Sequence, residues 1–451
     1  MFLAYVKSGP DDLAQMTEMI QAEAPSAETL GRCLWAACKR GKTKMAAALI
    51  DRGADVTRTN FYDRTLLMMT MYANFECERE QMQLALLLVQ RGVDPTARDA
   101  EDKNALNLAV QFGRIALVGW LAGFHDAVEM SDNLILAVQY NNMPVARKLV
   151  ACGADVNYRS LPSGMMPVVM ATVKQNYEMI SFLAHQGADM NAAVNSGATP
   201  LHFAARLPTI VLALVLQKGA HIGARTGQKN TALHYAVDDG RLDNIRLLLD
   251  YGCDPNAQNE RGETPLLLAC RESKLGTCMT SIVELLLQRG ADPNLTDYCA
   301  SSTFNQVVMK SSVHMFGVID LLQAYGGRIN PPYGVHPLAL LCSSDSKVTF
   351  HQILSMILRG ASMQASGWFE YLTYSPTLLK LGVWSLSSKR AAVAYFFTFV
   401  YGEEKGVYPV PVPRRLTGAA GLYPIRKRLA AYLVHRKTSV RYMIQEIVDQ
   451  F

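Results

Sequence analysis

Two histidines recur in one setting along this chain, as Thr199-Pro200-Leu201-His202-Phe203-Ala204 and Thr231-Ala232-Leu233-His234-Tyr235-Ala236. A pair of imidazoles can begin a metal site, but no cysteine or carboxylate stands at ligand spacing from either of them. The nine cysteines are scattered and none forms C-x-x-C; Cys33 and Cys38 lie five apart, Cys270 and Cys278 eight apart. They read as reduced, buried or half-buried thiols of a cytoplasmic or nuclear protein. Glu403-Glu404 reads as a solvated turn and not as an acid/base couple. Phosphate-loop, H-E-x-x-H and G-x-S-x-G patterns are absent from the sequence. The residues therefore predict no catalysis, no cofactor and no metal.

The two histidines belong to a longer pattern that says what the chain is built from. Gly53-Ala54-Asp55-Val56, Gly153-Ala154-Asp155-Val156-Asn157, Gly187-Ala188-Asp189-Met190-Asn191, Gly252-Cys253-Asp254-Pro255-Asn256 and Gly290-Ala291-Asp292-Pro293-Asn294 are copies of one phrase, with weaker copies at Gly92, Gly123, Gly219, Gly326 and Gly360. Thr199, Thr231 and Thr264 each open a second phrase 12 residues after a repeat glycine. Most steps between copies are 30 to 39 residues. A period near 33 marks a stacked-repeat protein, whose long surface holds macromolecules.

Each position has a physical role. Thr-Pro opens a first helix, where proline's missing N–H is no loss. Gly41, Gly113, Asn141 and Gly240 accept the left-handed conformation that closes it. A second helix follows with one apolar face, as in Ile245, Leu248 and Leu249 or Val283, Leu286 and Leu287. The repeat glycine ends that helix, and Asp-x-Asn starts a finger toward the next repeat.

Together the phrases resemble the ankyrin repeat over roughly residues 30 to 365. The resemblance implies an all-α, ankyrin-repeat solenoid of about ten helix-turn-helix repeats with a helical C-terminal cap. It also implies that His202 and His234 tie their loops to the next repeat by hydrogen bonds. Residues 1–28 are expected to be a divergent capping repeat, 29–366 the array, degenerate after about 295, and 367–451 a helical region. That last region holds the Pro-rich segment 408–415 and a basic terminal helix. Insertions are expected near Tyr72 to Arg79 and Glu272 to Thr280. Between Gly123 and Asp132 a finger is missing, which reads as a local kink.

Charge narrows the partner. Residues 402–451 hold nine Lys and Arg against four Asp and Glu, which accounts for the whole net charge of +5. The array is neutral, so no nucleic acid is expected. The best membrane candidate, Ala391 to Val400, is ten residues long, far short of the ~20 that span a bilayer, so no insertion is expected. The expected function is non-catalytic binding of a protein partner, whose identity the sequence does not give. Its finger residues are Tyr62, Arg64, Tyr158, Arg159, Arg225, Glu260, Arg261, Asp297 and Tyr298, since Tyr and Arg dominate interface energetics.

Two further resemblances concern particular residues. Val410-Pro411-Val412-Pro413-Arg414-Arg415-Leu416 is similar to the cullin-facing part of a SOCS box, with valine in place of both leucines. It implies an alternative function: substrate recognition for a cullin-RING ubiquitin ligase, with elongin and cullin as partners and Val410, Pro411, Val412, Pro413 and Leu416 in contact. The elongin-facing pattern lacks its cysteine in this chain. Asn157, Asn191, Asn256 and Asn294 each follow a leucine by eight residues. They resemble ankyrin asparagines modified by the hydroxylase that also acts on hypoxia-inducible factor.

Overall fold

Helix signals in the sequence act where they stand. In the computed structural model, Ser26 caps helix α2 (Ala27–Arg40): its Oγ accepts the Thr29 amide at 3.3 Å. Glu28 lies in the first turn, Lys39 and Arg40 in the last, each complementing the helix dipole. Gly41, at φ 73°, closes the helix. Gly113, Asn141 and Gly240 close later helices at φ 72°, 58° and 67°. The structure describes residues 4–6, 13–23, 25–73, 78–271, 278–310 and 315–332, with residues 336, 337, 340, 356, 359 and 361 beyond them. Residues 74–77 and 272–277 of the two insertions, and all of 367–451, lie outside the described residues.

The chain divides into two compact units, Met1–Gly227 and Gln228–Phe451. In the first, α1 (Leu13–Glu23) precedes six helix pairs. They are α2 with α3 (Thr43–Asp51), α4 (Leu66–Met71) with α5 (Glu78–Gln90) and α6 (Ala105–Gln111) with α7 (Ile115–Leu121). Then come α8 (Ala127–Gln139) with α9 (Met143–Ala151), α10 (Pro167–Val173) with α11 (Tyr177–His185) and α12 (Pro200–Ala204) with α13 (Thr209–Gln217). The second unit has α14 (Ala232–Asp238) with α15 (Leu242–Asp250), α16 (Pro265–Arg271) with α17 (Cys278–Gln288) and α18 (Thr303–Lys310) with α19 (Met315–Ala324). The described residues thus hold nine pairs, against an expected total of about ten repeats. They contain no strand, only an isolated bridge between Ser160 and Met165. No helix among them is long and apolar enough to cross a membrane.

Within each unit, each helix packs on its pair mate, and each first helix of a pair packs on the first helix of the next pair. The residue four before the repeat glycine forms the core of each pair. Leu49, Leu88, Leu149 and Leu183 in the first unit, and Leu248, Leu286 and Leu322 in the second, are fully buried. Their carbonyls also close the helix: the Ala154 amide donates to Leu149 at 3.0 Å and the Cys253 amide to Leu248 at 3.0 Å. One residue type thus fills the inter-repeat space and receives the terminal backbone bond.

The missing finger is replaced by helix. In α6 the capping Asn104 stands nine residues before the left-handed Gly113, and the equivalent count back from Asn141 reaches Asp132. Yet α8 starts at Ala127, capped by Asp126, whose Oδ1 accepts the Glu129 amide at 2.8 Å. No glycine or proline interrupts residues 127–132, so the cap extends the helix into the place of the finger.

Candidate protein-interaction surface

The fingers are built by short acceptor side chains. Asn60 Oδ1 accepts the amides of Tyr62 and Arg64 at 2.9 and 3.0 Å, clasping both arms of one tip. Asp99 does the same for Glu101 and Lys103, Asn259 for Arg261 and Glu263, and Asp297 for Cys299 and Ser301. Each clasp lies five residues before the capping Thr65, Asn104, Thr264 or Ser302. Asx side chains favour this geometry because they bond the backbone two residues on. Tips then join tip to tip. The Ala100 amide donates to the Tyr62 carbonyl at 2.9 Å, and the Gly227 amide to Ser196 at 2.9 Å. In the second unit, Glu260 donates to Gln228 and Tyr298 to Arg261, both at 3.0 Å.

The two recurring histidines are structural. His202 and His234 are buried, and each Nδ1 accepts the amide of its capping threonine, Thr199 or Thr231, at 3.1 Å. His234 Nε2 reaches the Glu263 carbonyl, 3.1 Å away in the next repeat, as the resemblance implied. Among the described residues no group of His, Cys, Asp and Glu could hold a metal ion.

The nine finger residues divide by what holds them. Tyr158 is half-buried and its hydroxyl donates to Asp132 Oδ2 at 3.1 Å; burial, then that carboxylate, push its phenol pKa up. Arg159 is exposed but donates to the Ala193 carbonyl at 2.7 Å. Asp297 is half-buried and spends its carboxylate on its own turn. Arg225, Glu260 and Arg261 are exposed. Tyr298, 70% exposed, stands over Gly262. Among the nine, Tyr62 is brought together with Arg64 and Arg261 with Tyr298.

Tyr62 and Arg64 anchor a larger surface in the first unit. The Arg64 guanidinium lies 5.5 Å from the Tyr62 ring and 5.4 Å from the Tyr72 ring. Tyr72 meets Phe112 edge to face, with centroids 5.0 Å apart. Tyr72, Phe112 and Tyr140 occupy the same place, the C-cap just after α4, α6 and α8, and all three are exposed. Arg64 Nε pairs with Asp99 Oδ2 at 3.0 Å, and its Nη2 with Glu101 Oε1 at 3.1 Å. Lys103 Nζ takes the other Glu101 oxygen at 2.8 Å. Glu101 first, then the Tyr140 and Tyr72 phenols more weakly, hold the Lys103 ammonium above its ordinary pKa. Burial opposes ionisation of Asp99, but the Lys103 amide, Arg64 and the Glu101 amide hold its carboxyl below the usual range. Two cations thus lie fixed among a row of rings, with their charge already matched.

Sequence reasoning found Tyr62 and Arg64 but missed Tyr72, Phe112 and Tyr140, which lie 40 and 28 residues apart. The available signal was the aromatic residue just before the helix-closing Gly113 and Asn141.

Comparison with known proteins finds the same repeat. Residues 134–226 and 208–297 match the ankyrin-repeat profile (Ankyrin repeats, 3 copies). The chain is an ankyrin repeat protein. A putative ankyrin repeat protein of Acanthamoeba polyphaga mimivirus is 29% identical over 158 residues, covering 35% of this chain and 20% of its own length. Neurogenic locus notch homolog protein 1 of Homo sapiens is 31% identical over 152 residues, 33% of this chain and 6% of that one. A putative ankyrin repeat protein of Fowlpox virus is 28% identical over 169 residues, 36% of this chain and 48% of that one. The chain therefore spans less than half the length of each of these relatives. An ankyrin repeat domain from Acinetobacter baumannii has a TM-score of 0.40 at 25% identity, over 43% of this chain and 98% of its own. In this ankyrin repeat protein Val410, Pro411, Val412, Pro413 and Leu416, expected from the resemblance to contact a cullin, lie outside the described residues.

Proposed function

We propose that this ankyrin repeat protein is a non-catalytic binding module that holds a protein partner on the ring row of its first unit, Tyr62, Tyr72, Phe112 and Tyr140. The observation that carries this reading is the exposure of those rings around two cations whose charges are already paired. Aromatic residues give an interface most of its energy, and paired cations need not be stripped of water on binding. Tyr158, Arg159 and Arg225 of the same unit form the rim in this reading, and Glu260, Arg261, Asp297 and Tyr298 of the second unit stay proposed as partner contacts of that unit. Ankyrin repeats generally mediate protein–protein interaction, which supports it. A cytoplasmic or nuclear setting is supported by the free thiols Cys33, Cys38, Cys253 and Cys270, all buried. Asn157, Asn191, Asn256 and Asn294 stay proposed as hydroxylation sites, tested by peptide mass spectrometry for one added oxygen. No observation favours elongin or cullin as partners.

The test is photo-crosslinking in cells. A benzoylphenylalanine at position 61 or 112 should give adducts with a partner protein, and the same group at position 210, exposed on α13, should not. Adducts from 210 alone would place the interface elsewhere.

A further inference from the structure

We infer that the segment held on the ring row is acidic, with its carboxylates on the basic face of α2 and its apolar side chains on Tyr72 and Phe112. This rests on the function proposed above and narrows it to a class of partner.

One backbone bond sets the register of the inner helices. The Gly41 amide donates to the Cys38 carbonyl at 3.3 Å, Ala73 to Thr70 at 3.3 Å and Gly113 to Val110 at 3.2 Å. Asn141 does so to Val138 at 3.0 Å and Gln175 to Thr172 at 2.9 Å. The residues just before these amides, Arg40, Tyr72, Phe112, Tyr140 and Lys174, are therefore equivalent, and all five are exposed. The side chains of Arg40 and Lys174 make no hydrogen bond or ion pair among the described residues. The three rings thus stand between two free cations.

The solvent face of α2 extends the positive end. Leu30, Cys33, Leu34, Ala37 and Cys38 are buried, which leaves Arg32, Lys39 and Arg40 exposed and Trp35 half-buried on the other face. From Ser26 to Arg52 the first pair carries six Lys and Arg against Glu28 and Asp51, and six minus two is +4. Asp51 is taken by Arg91 at 2.9 Å, and Lys42 donates to the Val6 carbonyl at 2.8 Å. Glu28 stands four residues before Arg32 but forms no ion pair with it. Lys39 and Arg40 complement the dipole of α2, an effect confined to the last turn, so Arg32 has no such role. Arg32 and Arg40 lie about 12 Å apart along the helix, a spread that suits several carboxylates on a chain better than one phosphate.

Other charges along the row do not cancel this surplus. Arg64 and Lys103 are matched by Asp99 and Glu101. Arg114, two residues after Phe112, adds a cation whose Nη2 donates to the Ala73 carbonyl at 2.8 Å. Glu78 and Glu80 open α5 on either side of Arg79, a net of one acid. Asp63 stands on a finger tip, and Asp126 and Asp132 at the cap and in the first half of α8, where Asp132 accepts the Tyr158 hydroxyl. Acids therefore gather where the inner helices begin and free cations where they end. That division draws an acidic segment to the α2 end and away from the finger tips.

The test uses the full chain and labelled peptides read by fluorescence anisotropy. The probe is six glutamates followed by Leu-Ser-Leu-Ser-Leu. Controls replace the glutamates by glutamines or by lysines. The probe should bind at least about tenfold more tightly than either control, and more weakly as salt rises. Arg32→Gln, and separately Lys39→Gln with Arg40→Gln, should each weaken the probe about 3–10-fold, whereas Arg52→Gln, the same charge change at the end of α3, should leave it within about twofold. Tyr72→Ala should weaken it about 3–10-fold, the worth of one aromatic contact. Thermal midpoints of these variants should stay close to the parent's, because every altered side chain is exposed. Phosphatidylserine vesicles and a single-stranded oligonucleotide should bind more weakly than the probe. Equal binding of the glutamine peptide, equal losses in the Arg52 and α2 variants, indifference to Tyr72→Ala, or tighter binding of vesicles or oligonucleotide overturns the inference. If crosslinks at 61 and 112 persist while the probe fails, the ring surface stands and only the acidic class falls.

Discussion

Asn256 donates from Nδ2 to the carbonyl of Gly290, 3.0 Å away and 34 residues on. Its Oδ1 accepts the Asp292 amide at 2.7 Å, so one carboxamide staples two repeats. Asn157 does the same to Gly187 and Asp189, Asn191 to Gly219 and His221, and Asn294 to Gly326 and Arg328. The preceding aspartate holds each asparagine in place, as Asp254 Oδ1 does for the Asn256 amide at 2.9 Å. Where threonine stands instead, at Thr57 and Thr96, the hydroxyl turns back on Asp55 and Asp94 and no staple forms.

Asn256→Ala removes two bonds of about 0.5–1.5 kcal/mol each, so it should cost ~1–3 kcal/mol. Asn256→Asp keeps the acceptor, loses the donor and should fall between. Urea unfolding of the two variants measures this. An alanine variant within about 0.5 kcal/mol of the parent would show the staple to be dispensable.

Much of this was legible in the sequence because each role is local. Thr199 and His202 cap one helix together, and Leu248 lies four residues before Gly252, so period and chemistry point the same way. The ring row was not legible because Tyr72, Phe112 and Tyr140 become neighbours only when repeats stack. Nor was the start of α8: the absence of a finger phrase after Gly123 does not say what replaces it. Arg64 looked like a free tip residue, since its partners Asp99 and Glu101 stand 35 and 37 residues away.

Core and tip should respond very differently to truncation. Leu248 is fully buried between repeats, so Leu248→Ala should cost ~2–5 kcal/mol through the cavity it opens. Arg261 is exposed and gives the fold only backbone groups, its amide to Asn259 and its carbonyl to Tyr298. Arg261→Ala should therefore stay within about 0.5 kcal/mol. Equal effects in urea melts would contradict the assignment of faces.

Asp99 makes stability depend on pH with a definite sign. Its folded pKa lies below the ordinary value, so its contribution is present above the unfolded value near ~4 and is lost as pH falls through the folded one. Asp99→Asn should destabilise the chain at pH 7, and the gap to the parent should close as the pH drops below about 4. Unfolding midpoints at both ends of that range test it. A gap that stays constant would mean the carboxylate's charge is not what Arg64 and the two amides hold.

Thiol reactivity should sort by burial. Burial pushes Cys38 and Cys270 up to about 12, so both are protonated and covered at neutral pH. Cys299 is exposed beside Tyr298. Brief alkylation followed by peptide mapping should label Cys299 first, and Cys38 and Cys270 only after denaturant is added. Early labelling of Cys270 would mean that α16 opens on the timescale of the reaction.

Two glycines of the second unit separate backbone strain from crowding. Gly252 has φ 82° and a Cβ there would meet nothing within 4 Å, whereas Gly262 has φ 76° and a Cβ would come within 2.7 Å of both the Tyr298 ring and its amide nitrogen. Gly252→Ala should cost only the left-handed conformation, about 1–2 kcal/mol. Gly262→Ala carries the same strain and must also push Tyr298 away, which strains the bond from the Tyr298 amide to the Arg261 carbonyl. It should be the more destabilising by a further ~0.5–1.5 kcal/mol, the worth of that bond. Adding Tyr298→Ala removes the ring but leaves the nitrogen in the way, so the double variant should recover only part of the difference. Full recovery in urea melts would assign the cost to the ring alone, and equal costs for the two glycines would show that the tip yields freely at Gly262.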